Sequence, residues 1–391
     1  MRTSTVEQIA ESAKRHNTFD FIRLFAALAV VVEHSVHHLD AAFLWHQRDD
    51  TLWFNGGVAT FFILSGMMVY RSGERAYADG RPWRDFYRNR ALRIIPAIYA
   101  YFAVLVVLLI VTGFLAPGQL LTVQFAAFAV SNLLLAPVWS PPMLDDFGVG
   151  VVNGSLWTIP VEVSFYVIVP LMVVLASRRG LRSMLVVVLI IAGISVGAYG
   201  AVGATTTESL AWKAFGVTFL PYLWWFAIGA AWSRLWSRIP QRGWMAAVAV
   251  VLYFVLAKLP LDPGPAFIAN AVAAVPLSYA VIWFGYHGPK ALGRFTDRLG
   301  DLSFSIYIWH MIVVNLLVSW GARSWAIDGT LLVLGVVVVT AVIAFASWHL
   351  VEKPALNRKR YTSAWPGGGE AAQRASATTK SSPSSPMHGA L

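Results

Sequence analysis

Apolar runs long enough to cross a bilayer follow one another along almost the whole of this 391-residue chain. A spanning helix needs about 20 such residues at a rise of about 1.5 Å each. Only 13% of the residues are charged and 57% are hydrophobic, whereas a soluble domain carries about 25% charged residues. The expected fold class is therefore all-α, a polytopic transmembrane helical bundle. The polar start, Met1 to Asn17, has no cleavable apolar core, so the first span is expected to serve as an uncleaved anchor.

Eleven apolar segments are legible: Asp20–His38, Phe54–Tyr70, Ile94–Thr112, Val123–Pro137, Leu156–Leu175, Leu181–Ala201, Phe215–Trp232, Trp244–Leu259, Phe267–Tyr286, Leu302–Trp320 and Thr330–Val351. Loop charge orients them. Arg71–Arg93 holds seven arginines against Glu74, Asp79 and Asp85. Ser177–Arg182, Ser233–Gly243, His287–Gly300 and Glu352–Arg360 are also basic, whereas the alternate loops hold at most one basic residue each: Arg48, Lys213, Lys258 and Arg323. Basic loops face the cytoplasm, which accounts for the net charge of +10 without nucleic acid as a partner. An even number of crossings must join Arg71–Arg93 to Ser177–Arg182, yet three segments lie between. Val123–Pro137 is the weakest, with Ser131, Asn132 and a run of prolines behind it. It is expected to be re-entrant or interfacial, leaving ten spans with both termini cytoplasmic. The expected domains are a cytoplasmic segment (1–18), a transmembrane domain (19–357) and a disordered cytoplasmic tail (358–391), the last rich in Gly, Ser, Ala, Pro and Thr.

An ionisable group inside a span is costly and points to function. Arg23, Glu33 and His34 lie in the first span. Arg23 and His34 are eleven positions apart, which puts them on one helix face about 16 Å apart along the axis. Arg23 alone could snorkel to phosphates and His34 alone could be a packing residue. Glu162, in Ser155-Leu156-Trp157-Thr158-Ile159-Pro160-Val161-Glu162, is expected about 9 Å below the outer boundary, in the layer of His34. Two titratable groups in one layer suit acid–base chemistry. His310 is expected near mid-membrane, either as a packing residue or in the wall of a site. No ligand spacing supports a metal at His37, His38 and His46, and none is expected. Gly56, Gly57, Ser65 and Gly66 flank an apolar stretch and suit either close helix packing or a slot for a thin ligand. The chain has no cysteine, which rules out an acyl-cysteine intermediate.

These residues, taken in order, resemble the acyltransferase-3 family of bacterial O-acyltransferases acting on O-antigen, exopolysaccharide and related acceptors. The resemblance covers Phe19 to Asn357. Its blocks are Phe19-Asp20-Phe21-Ile22-Arg23 through His34, Gly56 to Gly66, Arg90-Ala91-Leu92-Arg93-Ile94-Ile95-Pro96, Ser155-Leu156-Trp157 to Glu162 and Phe165-Tyr166, and Leu299-Gly300 to His310 with the closing Val351-Glu352-Lys353-Pro354. Pro160 and Val163 stand where the family more often has Ser and Glu, and Glu33 replaces a usual aromatic residue.

The resemblance implies an inner-membrane enzyme with acyl-CoA as co-substrate, acetyl-CoA being the form expected. Arg23, Arg88, Arg90 and Arg93 would hold its phosphates. His34 would act as base on the acceptor hydroxyl, oriented by Glu162 or Glu33, or would carry the acyl group transiently. Gly57, Ser65, Trp157, Tyr166 and His310 would line the pocket, and Trp139 and Trp157 either stack on sugar or anchor at the interface. The acceptor is expected to be a carbohydrate or glycolipid, with a macrolide or other secreted small molecule as the alternative. A transporter or flippase would also use charged groups in spans, but no inverted repeat is legible.

Overall fold

The computed structural model describes residues 18–44, 56–205, 210–257 and 272–359, and among these the only regular secondary structure is helical. Residues 1–17, His46, Arg48, Lys258 and the tail from 360 onwards, on which expectations were placed, lie outside the described residues. In chain order the helices are α1 Phe19–Leu39, α2 Gly57–Ala78, α3 Trp83–Val111, α4 Val123–Leu133, α5 Thr158–Arg179, α6 Leu181–Thr205, α7 Leu210–Gly216, α8 Leu223–Leu235, α9 Gly243–Ala257, α10 Ala274–His287, α11 Lys290–Leu299, α12 Ser303–Ser319, α13 Gly329–Ser347 and α14 Lys353–Leu356.

Among the described residues, four stretches are long and apolar enough to cross a membrane: Trp83–Val111, Gly154–Arg179, Leu181–Ala198 and Gly329–Leu356. A fifth is formed if α11 and α12, bent by 66° at their junction, count as one broken span. Helices α1 and α2 have the length, at 21 and 22 residues, but interrupt their apolar runs with Arg23, Glu33 and His34, and with Ser65 and Arg71. These two form the centre of the bundle. Helix α1 packs on α12, α2 and α13, and α2 packs on α8, α5 and α10.

Local chemistry explains the breaks. The Thr122 hydroxyl caps α4 by accepting from the Phe125 N–H at 3.2 Å. That helix has 11 residues and is about 16 Å long, half the hydrocarbon thickness. The stretch Phe215–Trp232, expected as one span, is instead interrupted: α7 ends at Gly216, a single turn covers Leu220–Tyr222, and α8 begins at Leu223. Pro221 supplies no N–H to a continuous ladder there. His287–Gly300, expected as a basic loop, contains the helix α11. It ends at Gly300, which has φ +91° and lies so close to the Trp348 indole that a Cβ would overlap it.

The tightest crossing is between α2 and α8. A Cβ on Gly66 would overlap the Phe226 carbonyl oxygen, and one on Gly229 would overlap that of Ile63. The two backbones therefore touch, as small residues permit inside membranes. Phe165 stacks on Phe226 beside them, with centroids 4.3 Å apart.

Candidate active site

Arg23 of α1 and Arg93 of α3 meet on one carboxylate oxygen. Each guanidinium donates to Asp301 Oδ2 at 2.6 Å, and the Ser303 hydroxyl donates to Oδ1 at 2.6 Å. The three charged side chains are only 14 to 17% exposed. Asp301 sits between α11 and α12, so the bend at Gly300 is what brings its carboxylate to α1 and α3. Arg23 thus does not snorkel: it shares an anion with Arg93. Asp20, one turn before Arg23, adds a second carboxylate 3.7 Å from its guanidinium, and further cations surround the group. The Arg90 guanidinium lies 5.7 Å from the centroids of both Phe86 and Tyr166, within cation–π range. Lys359 lies within electrostatic reach of Arg93, Arg90 and Arg23, and burial together with those arginines holds its amine down to about 8. Arg88, two residues before Arg90, is turned about 160° round the helix from it.

A small cavity of about 40 Å³ lies beside this cluster, lined by Arg23, Ser65, Arg93, Thr158, Glu162 and Tyr307 among others. Glu162 accepts a short hydrogen bond from the Tyr166 hydroxyl, one turn along α5. The structure therefore groups Glu162 with Arg23 and Arg93, and hydrogen-bonds it to Tyr166 rather than to His34. Ser65 faces the cavity, whereas Gly57 meets the backbone of α1 at Ala26. One glycine of the α2 block is packing and the serine is pocket.

His34 bonds instead to His310. Nδ1 of His34 lies 2.8 Å from Nε2 of His310, and the rings stack with centroids 5.1 Å apart. The direction of this bond follows from the next one. His310 Nδ1 lies 2.8 Å from the Tyr307 carbonyl oxygen, which can only accept, so Nδ1 carries the proton. In a neutral imidazole Nε2 is then the acceptor, and His34 Nδ1 must donate to it. His34 Nε2 is left with its lone pair, the tautomer a general base needs. His310 is the group that fixes this state. Glu33 is half-buried beside His34 on α1.

On the other side of the pair lies an open cavity of about 640 Å³, bordered by His37, His38, Asp40, Asp145, Met311 and Arg323. Its size falls in the range of small-molecule sites, about 300–1,000 Å³. His38 stands 5.7 Å from His34, centroid to centroid, and the Arg323 Nε–H donates to the His38 carbonyl at 2.8 Å. The floor is the segment from Gly148 to Gly154, stapled to α12. Asn315 Nδ2 donates to the carbonyls of Val151 and Val152 at 3.0 and 2.8 Å, and Asn315 Oδ1 accepts from the Val149 N–H at 3.1 Å. The Ser319 hydroxyl accepts from Gly148 N–H at 2.8 Å. Asn153 is buried, donating to the Tyr101 hydroxyl and the Ile308 carbonyl. Trp157 packs edge-on to Phe62 and tilts against Tyr222. With Trp139 it borders a smaller cavity of about 150 Å³ under α4.

Sequence reasoning missed Asp301, Tyr307, Lys359 and Glu352. The last is buried in the π-helical turn Trp348–Glu352 and accepts from Ser305 and Ser347. Asp301 and Glu352 both stand inside the blocks quoted above, and a carboxylate in each of those blocks was the one available signal.

A family model described as an acyltransferase domain matches residues 16–349. The chain is 29% identical over 377 residues to nodulation protein 10 of Rhizobium leguminosarum bv. viciae, covering 88% of this chain and 94% of that one. It is 26% identical over 315 residues to the exopolysaccharide production protein ExoZ of Rhizobium meliloti, covering 78% and 90%. It is 25% identical over 367 residues to the O-acetyl transferase of Shigella phage Sf6, covering 88% and 97%. No solved structure matches.

Proposed function

The chain belongs to the acyltransferase-3 family and is a membrane acyltransferase, and we propose that it moves an acyl group from cytoplasmic acyl-CoA to a hydroxyl of an envelope or exported carbohydrate. The observation that carries this reading is the His34–His310 pair, with a basic cavity on one side and a wide polar cavity on the other. The donor enters from the cytoplasm with its phosphates on Arg23, Arg90, Arg93 and Lys359, and its pantetheine arm runs along α1 for the roughly 16 Å from Arg23 to His34. The acceptor occupies the cavity bordered by Asp145 and Arg323. Relatives named for exopolysaccharide production and O-acetyl transfer support the acceptor class, and acetyl is the group proposed.

His34 Nε2 takes the proton of the acceptor hydroxyl as its oxygen attacks the thioester carbonyl. The C–S bond breaks, and the thiolate of coenzyme A recovers the proton from His34. While His34 is cationic, its Nδ1–H points at His310 Nε2, so the charge is shared with a ring already held by the Tyr307 carbonyl. Ten crossings with both termini in the cytoplasm complete the proposal, supported by the alternation of basic and charge-poor loops.

The test is free-thiol release from acetyl-CoA by the purified protein in nanodiscs, with envelope glycan as acceptor. His34→Ala is expected to lower kcat by about 10²–10⁴-fold, the range of a general base, with the donor KM little changed. Wild-type turnover in His34→Ala removes His34 from the chemistry.

A further inference from the structure

Helix α11 carries Lys290, Arg294 and Arg298 at successive fourth positions. At 100° per residue they drift by only about 40° per step and form one stripe. All three are exposed, and no ion pair holds any of them among the described residues. Phe295, about 60° round the helix from Arg298, and Leu299, about 100° from it, flank the stripe with an apolar face that Leu292 extends. Bent 66° from α12 and pinned at Gly300 by Trp348, α11 has the build of a helix lying along a membrane surface.

Beneath it, between α1 and α13, runs an apolar groove of about 510 Å³, bordered by Phe21, Phe25, Phe295, Leu299, Val338 and Phe345. Phe25, Phe295 and Phe345 are each about half exposed. An occupant of this groove must be apolar where it lies against the two spans and negatively charged where it reaches the stripe. A soluble anion meets only the second requirement and a neutral lipid only the first. We propose that α11 and this groove bind an anionic phospholipid, its headgroup on Lys290, Arg294 and Arg298 and one acyl chain along Phe25 and Phe345.

The protein in mild detergent is titrated with dioleoyl phosphatidylglycerol and dioleoyl phosphatidylcholine, and bound lipid is counted by native mass spectrometry. The wild type is expected to take phosphatidylglycerol at least ten-fold more tightly. Each cation removed is expected to weaken that binding about five-fold, so Lys290→Gln with Arg294→Gln and Arg298→Gln abolishes the preference. Arg294→Lys with Arg298→Lys keeps the charge and the preference, and 1 M salt compresses it because the contacts are surface charges. Phe25→Ala with Phe295→Ala weakens both lipids alike. Equal affinity of the wild type for the two lipids overturns the proposal, as does an unchanged preference in the triple glutamine variant or a second copy of the chain cross-linking through α11 in place of lipid. The variants lie on the surface, and a melting curve that overlays the wild type shows that they fold.

Discussion

Arg23 and Arg93 share the carboxylate of Asp301, and Arg23 also faces Asp20 at 3.7 Å. Asp301 holds both guanidiniums in place beside Asp20, so it is Arg90 and Lys359 that add cationic charge for the phosphates of the proposed donor. Removing Asp301 would leave Arg23 with the partly exposed Asp20 and Arg93 with the more distant Glu352, at a cost of up to about 3–5 kcal/mol, the range for a broken buried pair. Lys359 is the adjustable member of the cluster. Its amine is held down to about 8, first by burial and then by Arg93 and Arg90, so it is charged below that pH and neutral above it. Affinity for the proposed acyl-CoA donor is therefore expected to fall as pH rises past about 8. A pH series of acetyl-CoA KM should show this bend in the wild type and lose it in Lys359→Gln, with a change of about three-fold, the scale of one partly exposed ion pair. Arg23 and His34 were legible because ionisable side chains in an apolar run are costly. Their partners were not. Asp301 stands just outside the run and reads as a loop residue, and one-dimensional spacing holds no information about which of several helices presents a ring to His34.

At the scale of elements, the α2–α8 crossing fixes the middle of the bundle. Gly66 and Gly229 each lie against a carbonyl oxygen of the other helix, and a backbone atom cannot swing aside as a side chain can. Gly66→Ala is therefore expected to destabilise the protein by about 1–3 kcal/mol, the cost of overpacking, and the unfolding midpoint in detergent would fall accordingly. Gly118, which has nothing within contact distance, is the control: Gly118→Ala should melt with the wild type. The glycines of α2 were visible in the sequence, but their purpose was not, since packing and pocket demand the same small residues. Helix positions were read well in α1, α5 and α6, whereas α3 begins at Trp83, eleven residues before the segment expected from Ile94. They were read less well where chemistry intervened. Pro221 divides the segment expected to be one span, and the i, i+4, i+8 cations of α11 were counted as loop charge although their spacing is helical.

For the molecule as a whole, the absence of cysteine makes the proposed sidedness easy to examine. Single substitutions Asp145→Cys and Arg179→Cys place one thiol in each class of loop. A membrane-impermeant maleimide applied to intact protoplasts should label the first and spare the second until the membrane is opened. The reverse pattern would invert the bundle and with it the donor side. The two cavities would then exchange roles, because the basic cluster and the open polar cavity lie on opposite sides of the His34–His310 pair. The staple between α12 and the segment from Gly148 to Gly154 sets the terms on which an acceptor is chosen. Four hydrogen bonds from Asn315 and Ser319 hold that floor before any substrate arrives, so little ordering entropy is left to lose on binding. A rigid floor with a separate rim is a die and its insert: retooling the enzyme for another acceptor would mean exchanging Asp145 and Arg323 at the rim while leaving Asn315 untouched.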